Sequence, residues 1–364
     1  MIVRVKDRRG VVRFVRFVGE LYRDEPNYVL PFYSVQIKEL TRFVLKEKKY
    51  HALMYVSEGR VKGRILYTVM PDEKSGEVTS YFSFFDFCND LSVARALLDE
   101  MRRHSSELGA VRVEGPYCPY DPDTRRGVLT NKYDKLPSVF LTYNYPYYTE
   151  IYDALGLVKH TDTLSMTVPM TDKVYKKAER LGRMFKSDEL VISTLSSKTL
   201  NSDIQAVADI MSSATTEINY ESAPSFNMIK GIFKDMRLFI KYEYVLIARE
   251  RATGRAVGFI VFLPELNQVF RHLGGRLRPL KYIRLSRKID KVRGWLQYVI
   301  PEYQGTSLLG LMFSRAGAAM QKDGILEFEG GTIVEENAKS YKVFEYFDGY
   351  IDKVYRIYEG TIEE

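Results

Sequence analysis

Apolar positions along this chain switch between helical and strand periods, and each switch marks an element. Phe14-Val15-Arg16-Phe17 and Leu21-Tyr22 recur at helical spacing until the turn residues Asp24 to Val29 break the pattern. Residues 51–56 and 61–69 read as strands across the polar turn Ser57-Glu58-Gly59. Residues 81–88 form another strand, Asp90 or Ser92 caps a helix to about 104, and 110–115 form a further strand. A lysine-rich helix spans 171–185, with Val174, Ala178, Leu181 and Phe185 on one stripe. A strand at 190–195 follows, then helices at 200–215 and around 226–233, then strands at 244–249 and 256–263 about Thr253-Gly254. The order in each half is helices, antiparallel meander, then strand–helix–strand. This predicts an α/β (α+β) chain with its fold doubled: residues 1–168, a helical connector 169–188, and residues 189–364.

The second half closes on a denser pattern. Trp295 to Ile300 is aromatic and β-branched, and Pro301 ends it because proline cannot donate to a ladder. Gln304 to Ser307 form a short polar turn, after which Leu308, Leu309, Met312, Phe313 and Ala316 recur at helical spacing. The apolar run Ile325 to Phe328 reads as a strand, Glu335-Glu336-Asn337 precede a helix, and 353–358 is the last strand. A strand feeding a glycine-containing turn that opens a helix is a device for holding phosphates. The turn leaves N–H groups unpaired, and the helix N-terminus adds about half a positive charge. In the first half the matching turn is Asn89-Asp90. An aspartate there repels pyrophosphate, so the first half is expected to shape a substrate cleft or to be structural.

Pro301-Glu302-Tyr303-Gln304-Gly305-Thr306-Ser307-Leu308-Leu309 resembles the pyrophosphate loop of the GNAT acyltransferases, Gln/Arg-x-x-Gly-x-Gly/Ala. Ser307 and Leu309 stand where that pattern has small residues. Glu336-Asn337-x-x-Ser340-x-x-x-Phe344 is similar to the later motif Asn-x-x-Ala-x-x-x-Tyr, with Phe344 in the tyrosine's place. Phe17-x-x-x-Leu21-Tyr22 through Pro31, Phe84-Phe85-Asp86-Phe87-x-x-Asp90, Glu114-Gly115-Pro116 and Tyr143 to Asp162 resemble a bacterial group of two-domain GNAT-like proteins. The resemblance implies two tandem GNAT-like domains, each a mixed, mostly antiparallel sheet flanked by helices. It also implies acetyl-CoA or a longer acyl-CoA as cosubstrate, held by Val299, Gln304, Gly305, Thr306, Ser307, Leu308 and Asn337. The alternative for Asn337 is a plain helix N-cap.

The composition, 45% hydrophobic and 28% charged, describes a globular chain. No apolar run approaches the roughly 20 residues of a membrane span, and the N-terminus lacks a signal peptide's apolar segment. Cys88 and Cys118 are too few for a disulfide framework, and none of the four histidines is spaced as a ligand pair. A reducing cytoplasm and metal-free chemistry are expected. Net charge is +7, and nine cations lie between Arg271 and Arg293 against one acid, Asp290. That segment is either a solvated loop face or an electropositive rim for CoA, an acyl carrier protein or tRNA.

Acyl transfer to an amine needs a base, because an amine of pKa ~10.4 is mostly protonated at neutral pH. Glu329, Glu335 and Glu336 are candidates acting through water, and Tyr341 is the candidate acid, with a packing tyrosine as its other reading. Tyr143, Tyr145, Tyr147 and Tyr148 are candidates to line the pocket of a small-molecule or peptide amine, or to be structural. His160 and Asp162 share a strand face, which suits either a His–Asp dyad or a lone satisfied histidine. The expected activity is direct transfer from acyl-CoA to an amine bound between the domains. Two alternatives stand beside it: a catalytically degenerate ligand-binding or sensor protein, and a transferase whose donor rides on tRNA or a carrier protein, as in Fem-like and N-myristoyltransferase-like enzymes.

Overall fold

The computed structural model describes residues 1–72, 75–119, 124–184, 188–214, 226–306 and 308–362, without the side chains of 214, 338 and 339. Strand β1 (Ile2–Arg4) leads into α1 (Arg8–Leu21), whose first turn is closed by Asp7 accepting from the Gly10 N–H at 2.7 Å. Such a cap is worth about 1 kcal/mol. Val11, Phe14, Val15 and Val18 form its buried stripe. Helix α2 (Tyr33–Leu40) precedes the meander β2 (His51–Ser57), β3 (Arg60–Pro71) and β4 (Val78–Phe87). Helix α3 (Leu91–Glu107) then crosses over to β5 (Arg112–Gly115), and β6 (Val128–Leu129), α4 (Tyr147–Ala154) and β7 (Val158–Pro169) complete the first half.

Helix α5 (Asp172–Met184) joins the halves and lays Val174 and Ala178 into the second core; Leu181 is half-buried, and Phe185 of the expected stripe lies outside the described residues. The plan then repeats: β8 (Leu190–Thr194), α6 (Leu200–Ala214), α7 (Phe226–Met236), β9 (Val245–Glu250) and β10 (Ala256–Pro264). After α8 (Asn267–Phe270), the basic segment 271–293, read from sequence as a solvated loop face or an electropositive rim, carries a helix of its own, α9 (Pro279–Ser286). Its last residues open β11 (Lys291–Val299), so Gly294 lies inside that strand. Helix α10 (Leu308–Lys322), β12 (Glu327–Val334), α11 (Ala338–Tyr346) and β13 (Tyr350–Thr361) follow.

Among the described residues, thirteen strands make one sheet in the order β1-β2-β3-β4-β5-β13-β7-β12-β11-β10-β9-β8, with β6 on β13. The last strand of each half lies beside the fifth strand of the other, β13 on β5 and β7 on β12. Tyr358 and Ile362 accordingly join the first core, and Val168 joins the second. Each half holds one parallel pair, β4/β5 and β11/β12, as a strand–helix–strand crossover requires.

Candidate active site

β11 and β12 pair only over Lys291–Arg293 and Glu327–Glu329, and then part. Gly294 meets the Phe328 ring, and Phe328 packs on Phe262 and Phe313 on the α10 side. Beyond that point lies an open cleft of about 390 Å³, walled by Trp295 and Tyr298 of β11, Leu309 of α10, Thr332 of β12 and Ser340 of α11. Leu309 stands on the wall and leaves the gap open. At the cleft's outer end Pro301–Tyr303 make one turn and Gly305 adopts φ +71 in open space, a conformation that favours glycine. The Thr306 hydroxyl donates to the Tyr303 carbonyl at 2.6 Å. The Gly305 N–H has no hydrogen bond among the described residues, and the first amides of α10 lack intrahelical partners by geometry.

Strand alternation turns Glu329 to the opposite face. There it lines a second cavity, of about 480 Å³, with Glu265, Lys135 and Lys353. Glu329 is 6% exposed and its Oε2 accepts from Lys353 Nζ at 3.0 Å; its Oε1 is buried without a hydrogen bond among the described residues. Lys353, on β13, also donates to Asp352 at 2.8 Å, and Lys135 donates to Asp352 at 2.6 Å. Burial by itself favours neutral Lys353, but the charges of Glu329 and Asp352 outweigh it and hold the ammonium charged.

Glu265 follows β10 and is 4% exposed. Its carboxylate accepts from the Val139 N–H at 2.9 Å and the Asn267 N–H at 3.0 Å. Burial, then the Glu329 charge, pushes its pKa up to about 7. Two buried carboxyl groups therefore sit in unequal surroundings, Glu329 compensated by an ammonium and Glu265 poised near neutrality. Neither Glu265 nor Lys353 was reachable from motif reasoning; the one signal was charge at inward positions, Glu265 beside β10 and Asp352-Lys353 within β13.

No family model matches the chain. It is 22% identical to Protein YghO of Escherichia coli (strain K12), over 98% of this chain and 94% of that protein. It is 21% identical to the bacterial ceramide synthase of Caulobacter vibrioides, over 99% of this chain and 97% of that protein. Among solved structures, a tandem GNAT protein from the clavulanic acid biosynthesis pathway superposes with a TM-score of 0.60 at 13% identity, over 100% of this chain and 99% of that one. A GCN5-related N-acetyltransferase from Sphaerobacter thermophilus reaches 0.52 at 11% identity, over 100% and 96%. The chain has a tandem GNAT fold.

On this GNAT frame the predicted residues separate. Gln304, Gly305 and Thr306 form the turn before α10; Gln304 Nε2 donates to the Val299 carbonyl at 3.3 Å, and Ser307 lies outside the described residues. The Leu308 side chain is 1% exposed and packs on the sheet near Gly258, so only its backbone faces the turn. Asn337 is the α11 N-cap and accepts from the Ser340 N–H, while also bordering the cleft. The three glutamates do not cluster. Glu335 is bound to Lys159 at 2.7 Å and to the Asp162 N–H, and Glu336 is exposed, with Thr161 at 3.5 Å. Tyr341 donates its hydroxyl to the Val334 carbonyl at 2.8 Å. Phe344 stacks on Phe328, and a Cβ at Gly330 would run into its ring.

His160 and Asp162 form no dyad: His160 lies 3.1 Å from Glu359, and Asp162 takes both guanidinium contacts of Arg356. A third cavity, of about 380 Å³, lies between the halves; Tyr143 and Tyr148 line it with Phe32, Phe84 and Phe270, and the buried Arg64 with its half-buried partner Asp86 borders it. Tyr145 and Tyr147 do not line it. They donate to the carbonyls of Leu21 and Phe87. Among the described residues no helix is long and apolar enough to cross a membrane.

Proposed function

We propose that the chain is an N-acyltransferase that takes its acyl group from acyl-CoA in the β11/β12 cleft and passes it to an amine. The observation that carries this reading is the open β11/β12 splay with a buried carboxylate pair behind its apex, Glu265 and Glu329. The unpaired edge of β11 beyond Gly294 suits an extended amide-bearing arm, and the Gly305 turn with the N-terminus of α10 suits a diphosphate. The thioester carbonyl then lies near Gly294 and Gly330, with Glu265 and Glu329 on the acceptor side. Glu265 accepts the proton of the amine, directly or through one water, as the nitrogen attacks the thioester carbon. The C–N bond forms, the C–S bond breaks, and sulfur leaves as thiolate into a cleft open to water, which protonates it. Lys353 keeps Glu329 compensated, so the charge that tunes Glu265 stays in place.

The aromatic cavity between the halves supports an acceptor with an apolar body. The Caulobacter relative's name, ceramide synthase, denotes amide formation on a long-chain amine and supports the same class. Calorimetry with acetyl-CoA and longer acyl-CoAs, followed by CoA release across a panel of amines, tests the proposal; absence of binding overturns it. A second reading, a binding module without turnover, is favoured by Phe344 in the place of a tyrosine and by the tied hydroxyl of Tyr341. Tight acyl-CoA binding with no CoA release from any amine would select that reading.

A further inference from the structure

Residues 276–288, Arg-Leu-Arg-Pro-Leu-Lys-Tyr-Ile-Arg-Leu-Ser-Arg-Lys, hold six cations and no acid. Their helix, α9, is fixed by Tyr282, buried against Phe239 and Phe270, and by the half-buried Leu285 on the same core. At about 100° per residue, Leu280, Ile283, Arg284 and Arg287 share the outer face. Leu280 is 85% exposed, Ile283 45%, and Leu277, just before the helix, 49%. An exposed leucine alone needs no explanation, but three large apolar side chains within seven residues, interleaved with cations, make a patch. The Tyr33 N–H donates to the Gly275 carbonyl at 3.1 Å, which sets α2, with Val35 63% exposed, beside the segment.

We propose that α9 and the residues leading into it form a membrane-docking surface that seats on an anionic lipid bilayer. Leu277, Leu280 and Ile283 enter the boundary between headgroups and acyl chains, while Arg276, Arg278, Arg284, Arg287 and Lys288 meet lipid phosphates; the Lys281 ammonium donates to the His272 carbonyl at 2.6 Å. Charge complementarity selects an anionic partner, and the leucines select lipid over a soluble polyanion, since RNA would engage the cations and leave Leu280 in water. Val35 also lines the cavity between the halves, so docking brings part of that cavity's rim to the lipid. The surface lies apart from the carboxylate pair, and docking does not depend on the acyltransferase reading.

Flotation of the full-length protein with vesicles tests this. Binding is expected to phosphatidylglycerol-containing vesicles and not to vesicles of phosphatidylcholine alone. The pair Leu280→Ser and Ile283→Ser keeps every cation and is expected to lower the bound fraction about tenfold or more; the pair Arg284→Glu and Arg287→Glu is expected to do the same. Both pairs lie on an exposed face, and thermal melts alongside wild type verify the fold. The wild-type contrast between anionic and neutral vesicles stands whatever the variants do. No flotation with anionic vesicles overturns the proposal, as does flotation undiminished by the serine pair. Binding to tRNA or an acyl carrier protein that survives the serine pair, without flotation, assigns the segment to a soluble polyanion and overturns it too.

Discussion

Beyond Tyr81 and Glu114 the first parallel strand pair parts, and α4 moves into the gap. Tyr148 stacks on Phe87 at 4.5 Å and its hydroxyl accepts from the Phe87 N–H, while Tyr147 donates to the Phe87 carbonyl. At Phe87 the free edge of β4 is thus satisfied by side chains of the same half. Beyond Arg293 and Glu329 the second pair parts in the same register, and α11, nine residues against α4's eight, leaves the gap open. The carboxylates at the two partings differ in the same sense. Glu114 accepts from Arg112 at 2.9 Å and from the Tyr117 hydroxyl at 2.8 Å, whereas Glu329 keeps one oxygen without a hydrogen bond among the described residues. The two helix N-termini differ as well: Asp90 caps α3 by accepting from the Ser92 N–H, while a glycine turn precedes α10. One topology thus yields a first parting occupied by aromatic side chains of α4, which also wall the cavity between the halves, and a second parting that opens on the β11/β12 cleft.

The largest expected effect tests the open copy. Glu265→Gln should lower kcat by about 10²–10⁴-fold and remove a rise in rate with pH centred near 7. The same variant changes stability. Glu265's folded pKa lies above the unfolded value, so the folded state holds the extra proton and wild-type stability falls as pH rises from about 4.5 through about 7. Denaturant titrations should show the glutamine variant gaining about 3 kcal/mol on wild type across that window. Next, Lys353→Met strands Glu329 as a buried charge and should cost about 3–5 kcal/mol by chemical denaturation. Arg112→Met, beside the half-exposed end of β5, should cost under about 1 kcal/mol because Glu114 keeps Tyr117. Equal costs would break the comparison. Ser340→Tyr imitates the α4 plug in the second gap and should weaken acyl-CoA binding at least about tenfold, or roughly 1.4 kcal/mol, by calorimetry. The smallest effect sharpens the contrast: Asp90→Ala should cost about 1 kcal/mol as a lost cap and gain no acyl-CoA affinity, since α4 still fills the first gap.

Much of the fold was legible because its cues are local. The Ser57-Glu58-Gly59 hairpin, the Asp90 cap, the stripe of α5 and the strand–turn–helix at 295–316 all rest on residues within a few positions of one another. Tyr143 to Tyr148 stood out by density alone, yet their hydroxyls turned out to divide between backbone carbonyls and other tyrosines. Glu335 and Glu336 follow Glu329 on the same stretch of chain but are drawn off by Lys159 and Thr161, from a strand of the other half. Glu265 lay in no motif, because what perturbs it is a strand and a loop distant along the chain.

Sequence alone determined the doubled order of elements and the glycine turn ahead of α10, since periodicity, capping and positive φ act over one or two turns of chain. Tertiary structure alone decided that β7 and β13 trade neighbours, that α4 puts tyrosines into one splay while α11 leaves the other open, and that Glu265 meets Glu329 and Lys353. The physical reason is burial: a carboxyl group titrates near neutrality only where distant segments together exclude water, as when Val139 donates to Glu265 from 126 residues away.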